Sequence, residues 1–170
     1  MYLVTRLDGR SAGVAQEQAS MALLAEQRRS FASRGSAYFD LDPDQNRLGA
    51  SIDETLEVNL AAMGREERLR RRLKIDRKPR EFGLPNECPA AFLFLGWHTN
   101  IYQPRTYTWL GGAIAVQFHS SSATSLRNPK ECWLGGAVND GLTAGVGFVR
   151  QPGVLGVNTM GNLYRYLHAG

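Results

Sequence analysis

Charge all but disappears from this sequence after Glu87. Residues 1–87 hold fourteen of the sixteen acidic and fifteen of the twenty basic side chains, leaving Arg105, Arg127, Lys130, Glu131, Asp140, Arg150 and Arg165 for the last 83 positions. A stretch of that length with seven charges must bury most of its side chains, either in a core or against lipid, while the first half has the composition of a solvated surface. At 170 residues the chain is long enough for one domain with a core of its own, or for a small solvated piece joined to a small membrane piece.

The first half predicts helices. Val14 to Arg29 runs without a breaker, with Ala15, Ala19, Ala22 and Leu23 at helical spacing. A turn-rich linker, 35–48, follows. Ser51 with Glu54 three residues on has the form of a capping box, opening a helix expected to reach about Lys74, with Leu56, Leu60, Met63 and Leu69 as a narrow apolar stripe. Pro79, Gly83, Leu84 and Pro85 then break the chain. Asp40, Asp42 and Asp44 alternate as in a calcium loop, but no Gly follows at the required place and no Glu closes the loop. The N-terminus lacks the apolar core of a secretory signal. The string Arg28-Arg29-Ser30-Phe31-Ala32-Ser33 has a presequence-like texture that Asp8, Glu17 and Glu26 oppose, so the segment is read as retained.

Nine basic residues crowd between Arg65 and Arg80. Without interleaved aromatic side chains the run does not predict a nucleic-acid platform, and its position before the apolar half makes Arg70, Arg71, Arg72 and Lys78 candidate contacts for anionic lipid. The ordinary alternative is a solvated helix end.

From Pro89 four apolar stretches follow, 89–102, 106–126, 132–149 and 153–167. None reaches the twenty clearly apolar residues of a strong membrane span. Small residues recur at helical spacing, with Gly112 in the second stretch, Ala137, Gly141 and Gly145 in the third and Gly161 in the fourth, and such spacing lets helix backbones approach closely in lipid. The pentapeptide Trp-Leu-Gly-Gly-Ala occurs twice, at 109–113 and 133–137, and tyrosines and tryptophans lie near the segment ends. The expectation is therefore an all-α chain: a charged helical extension over 1–87 and four short glycine-rich transmembrane helices over 88–170. The competing reading is a β-rich domain, with which the Thr-Tyr-Thr-Trp and Ala-Val-Gln-Phe alternations agree.

Residues Arg127-Asn128-Pro129-Lys130-Glu131-Cys132-Trp133, followed by Ala137, Gly141 and Gly145, resemble the signature of the preprotein and amino acid transporter family. That family includes the channel-type subunits of the TIM translocases and an accessory subunit of respiratory complex I. In it, an Arg and an acidic residue four positions later join the second and third membrane helices. The match covers about 88–170 and is incomplete, since Val116, Val138 and Asn139 stand where the family has an aromatic and a small-Gly pair. The resemblance implies a mitochondrial inner-membrane protein whose partners are other membrane subunits. It also implies an intermembrane-space side for Cys88 and Cys132, whereas the basic run before Cys88 would place that side inside by the positive-inside rule; in the intermembrane space a disulfide between the two is a candidate, the alternative being two partly buried thiols.

Catalysis finds little support in the residues: His98, His119 and His168 are scattered, and Ser120 to Ser122 merely follow His119. No metal, cofactor or nucleic-acid site is predicted. The functional expectation is a structural, non-catalytic accessory subunit, most nearly of the complex I membrane arm. A translocase subunit is the first alternative and a soluble β-rich assembly protein the second.

Overall fold

A computed structural model of the chain describes residues 8–28, 34–41, 47–78, 82–97, 99 and 101–150, with the side chains of Arg28 and 47–51 left aside. Its centre is a parallel sheet of five strands: β1 (Ser36–Asp40), β2 (Leu73–Asp76), β3 (Cys88–Gly96), β4 (Tyr107–Gln117) and β5 (Ala144–Val146). They lie in the order β2-β1-β3-β4-β5, every neighbouring pair parallel. Helix α1 (Ala12–Arg28) precedes β1. Helices α2 (Arg47–Gly64) and α3 (Glu67–Arg70) link β1 to β2, and α4 (Trp133–Asn139) links β4 to β5.

The sheet has a core on each face. On one, α2 presents Ile52, Leu56, Leu60 and Met63 to Phe39, Leu93, Leu95, Val116 and Phe118. On the other, Trp133, Leu134, Ala137 and Val138 of α4 meet Tyr38, Phe94, Ala113 and Ala115, joined by Tyr102 and Tyr107, with Val14 of α1 at the margin. Strands covered on both faces read as unbroken apolar runs rather than alternating ones. Phe92 to Gly96 accordingly are all buried.

This overturns the all-α membrane expectation. The first apolar stretch is β3, the second is β4 and the loop after it, and the third is α4 with β5. The fourth, with Gly161, lies outside the described residues. Among the described residues no helix is long and apolar enough to cross a membrane. Among residues 88–150 the scarcity of charge reflects burial in a two-faced core. Among the described small residues assigned to helix packing, only Ala137 is helical. Gly112 and Gly145 are in strands, and Gly141 is in a turn with φ +104°. In the first half, α1 matches its predicted span to within two residues. The second predicted helix ends ten residues early, at Gly64, because Leu73–Asp76 is drawn into the sheet.

Strand β4 departs from regular pairing at its glycines. Ala91 lies opposite Trp109 but Leu93 opposite Ile114, so three extra residues bulge out of β4. Gly112 there has φ +92°, and its N–H donates to Thr143 Oγ1 at 2.8 Å. The bulge thus ties β4 to the approach of β5.

Candidate functional site at the carboxyl edge of the sheet

In an open parallel sheet the connections leave each strand at its carboxyl end, and a crevice opens where neighbouring strands send their chains to opposite faces. Here that point is between β1 and β3. Asp40 closes β1 opposite Asp76 of β2; Phe39 pairs with Leu95, which sets Asp40 beside Gly96; and Gly96 pairs with Gln117. Asp76, Asp40, Gly96 and Gln117 therefore form one lateral row across four strands. Side chains two apart share a face, so the row lies on the side of Tyr38, Phe94 and Ala115, the side of α4.

The row is buried. Asp40 and Gln117 are fully enclosed, and Asp76 is 4% exposed. Asp76 Oδ1 accepts the Lys78 backbone N–H at 2.9 Å, with the Lys78 ammonium 3.8 Å from Oδ2. The row is closely packed at Gly96, where only a glycine fits. A β-carbon there would stand 2.9 Å from Asp40 Cβ and 2.6 Å from the tip of the Phe94 ring. Just beyond it, Trp97 Nε1 donates to Asp53 Oδ1 of α2 at 3.2 Å, pinning the indole across the switch point. His98, next in sequence, lies outside the described residues.

The chain leaving β4 supplies the rest. The Phe118 N–H still donates to Gly96 O at 2.8 Å, and His119 follows, partly exposed. His119 Nδ1 is 2.6 Å from Ser120 O. A carbonyl only accepts, so Nδ1 carries the proton, and in the neutral ring Nε2 is left as the basic nitrogen. Ser121 has φ +67°, a left-handed conformation uncommon for a residue with a side chain. Ser122 is buried and locks the loop: its hydroxyl donates to Gln117 O at 2.9 Å and accepts the Phe148 N–H at 3.0 Å, while its carbonyl accepts the Leu134 N–H at 2.9 Å. The histidine is thus held on a braced platform at the end of the central strands. Among the described residues no group of three or more His, Cys, Asp or Glu side chains is placed to hold a metal ion.

The residues singled out from the sequence lie elsewhere. Arg127 and Glu131 do not pair with each other: Arg127 Nε is 3.5 Å from Asp8 Oδ1, and Glu131 Oε1 accepts from Asn128 Nδ2 at 2.7 Å. They sit in a chain of turns, so residues four apart are not stacked as on a helix. Trp133 is buried, stacked on Phe94 at 4.9 Å between ring centroids. Cys88 begins β3 and Cys132 caps α4; both are buried, and neither is in a disulfide. Arg70 and Arg71 meet Glu67, whereas Arg72 reaches inward to Gly35 O at 3.1 Å and lies over the Phe92 ring. Asp53, Asp76, Gly96 and Trp97 do not stand out in the sequence, and Asp40 does so only in its alternation with Asp42 and Asp44. The one signal at Asp40, Asp76, Gly96 and Gln117 is that β1 to β4 each end in a polar group or a glycine.

No protein-family model matches the chain, and neither does any curated protein or solved structure. The four-helix fold implied by the family resemblance is not what residues 88–150 form.

Proposed function

We propose that the chain is an enzyme performing general acid–base chemistry, of hydrolytic type, on a ligand held at the carboxyl edge of the sheet. The braced His119, with its Nδ1 proton donated to Ser120 O, carries the reading. Its Nε2 would take a proton from water or a substrate hydroxyl and return it to the leaving group. Asp40, Asp76 and Gln117 gather polar side chains at the same edge of the sheet, from which the His119 loop departs. The strained backbone at Ser121 supports the same reading, since such conformations concentrate where structure serves a site.

The test is a panel of chromogenic carboxylic esters, anilides and phosphate esters offered to the wild-type chain and to His119→Gln. Turnover of one class, reduced by about a hundredfold or more in the variant with unchanged melting temperature, is the expected result. Turnover of none, or equal turnover by both, would remove the catalytic reading in favour of a non-catalytic structural subunit.

A further inference from the structure

The described part of the basic run, 65–78, contains α3 and the edge strand β2. Residues 65–78 carry eight cationic and three acidic side chains, a net charge of +5. Arg65, Arg68, Arg70, Arg71, Lys74, Arg77 and Lys78 are exposed. Arg70 and Arg71 share Glu67, and Arg77 pairs with Glu57. Lys78 lies 3.8 Å from Asp76. Among the described residues Arg65, Arg68 and Lys74 have no ion pair.

These cations flank an edge strand, β2. Ala37 N–H donates to Arg72 O and Leu41 N–H to Asp76 O, each at 3.0 Å, so residues 72, 74 and 76 bond to β1. The peptide groups of Leu73 and Ile75 therefore face outward, away from the sheet. Ile75 is 45% exposed, an apolar contact in the middle of the strip. An open strand edge pairs readily with another strand, and proteins discourage this with charge. The same charge selects: a second copy of this edge would set arginines and lysines against their like, while an acidic strand would be attracted. The opposite edge, β5, offers Ala-Gly-Val and no such selection.

We infer that β2 is a docking edge for an acidic, extended segment of a different protein, which adds to the sheet as a sixth strand. Main-chain hydrogen bonds to Leu73 and Ile75 would hold it, with carboxylates meeting Lys74 and Arg71 and an aliphatic side chain meeting Ile75. This inference is independent of the chemistry at the carboxyl edge.

The experiment is fluorescence anisotropy with a labelled peptide of alternating Glu and Val. The comparators are a Glu/Pro peptide of equal charge that lacks half its N–H donors, a short DNA duplex, and phosphatidylserine vesicles. The Glu/Val peptide should bind, the Glu/Pro peptide about tenfold more weakly or worse. Lys74→Glu and Arg71→Glu, both exposed, should each weaken Glu/Val binding about fivefold with unchanged melting temperature. Equal binding of the two peptides, preference for duplex or vesicles, or no binding by any probe would each overturn strand addition.

Discussion

Gly136 has no room for a β-carbon. One built there would stand 2.5 Å from Cβ of Tyr102, and one on Gly135 would meet Ser125 O at 2.5 Å. Gly111, in the β4 bulge, faces open space. Gly136→Ala should therefore destabilise the chain by about 1–3 kcal/mol through overpacking, while Gly111→Ala should stay within about 0.5 kcal/mol of wild type, both read from urea midpoints. Tyr102 also anchors a polar network, donating to Asp140 Oδ2 at 2.6 Å and accepting from Trp109 Nε1 at 3.2 Å. Burial, then the bond and charge of Asp140, push its phenol far above the usual value; burial chiefly, with Cys88 nearby, raises Tyr38 to about 12. A raised phenol keeps in the folded chain a proton that the unfolded chain has released. Stability is thus full below about pH 10 and falls above it, by up to roughly 1.4 kcal/mol per pH unit for each phenol. Tyr102→Phe should flatten that loss between pH 10 and 12, measured by denaturant melts. An unchanged slope in the variant would show that Tyr102 titrates normally.

The pentapeptide Trp-Leu-Gly-Gly-Ala is strand in β4 and helix in α4. Its two tryptophans end in edge-to-face contact, 6.3 Å between ring centroids. Local propensity cannot choose between two copies of the same five residues. In β4 the glycines make a bulge, and in α4 they let the helix lie against Tyr102 and the Ser125 carbonyl, so tertiary packing decides. This is why the apolar half reads ambiguously: glycines four apart look like a membrane helix face, and apolar stretches of nine to eleven residues look the same in a parallel strand as in a buried helix. The Thr-Tyr-Thr-Trp alternation did mark β4. Helix α2 was legible because it is amphipathic: Leu56 is fully buried, and Val58, two residues on, is 54% exposed. Leu56→Ala should cost about 2–5 kcal/mol and Val58→Ala close to nothing. Similar losses from both would mean that α2 does not pack by this face. The site was the least legible part, since Asp40, Gly96 and Gln117 are 56 and 21 residues apart and become neighbours only through strand order.

The molecule as a whole depends on that order. Strands β1 and β2 come from the charged half and β3, β4 and β5 from the apolar half, and a single sheet unites them. Because all five run the same way, Asp40, Asp76 and Gln117, at the ends of their strands, gather at one edge, with His119 following β4. Antiparallel pairing would scatter the same residues to opposite ends, and a helical bundle would not bring Asp40 near Gln117 by this route. The direct measurement is a set of interstrand nuclear Overhauser contacts between backbone protons of the isotopically labelled chain. Amide-to-α-proton contacts in a parallel pattern should link Tyr38–Phe39 with Phe94–Leu95, and Phe94–Leu95 with Ala115–Val116. Medium-range helical contacts running through 89–102 and 106–126 in their place would contradict the parallel sheet and, with it, the site.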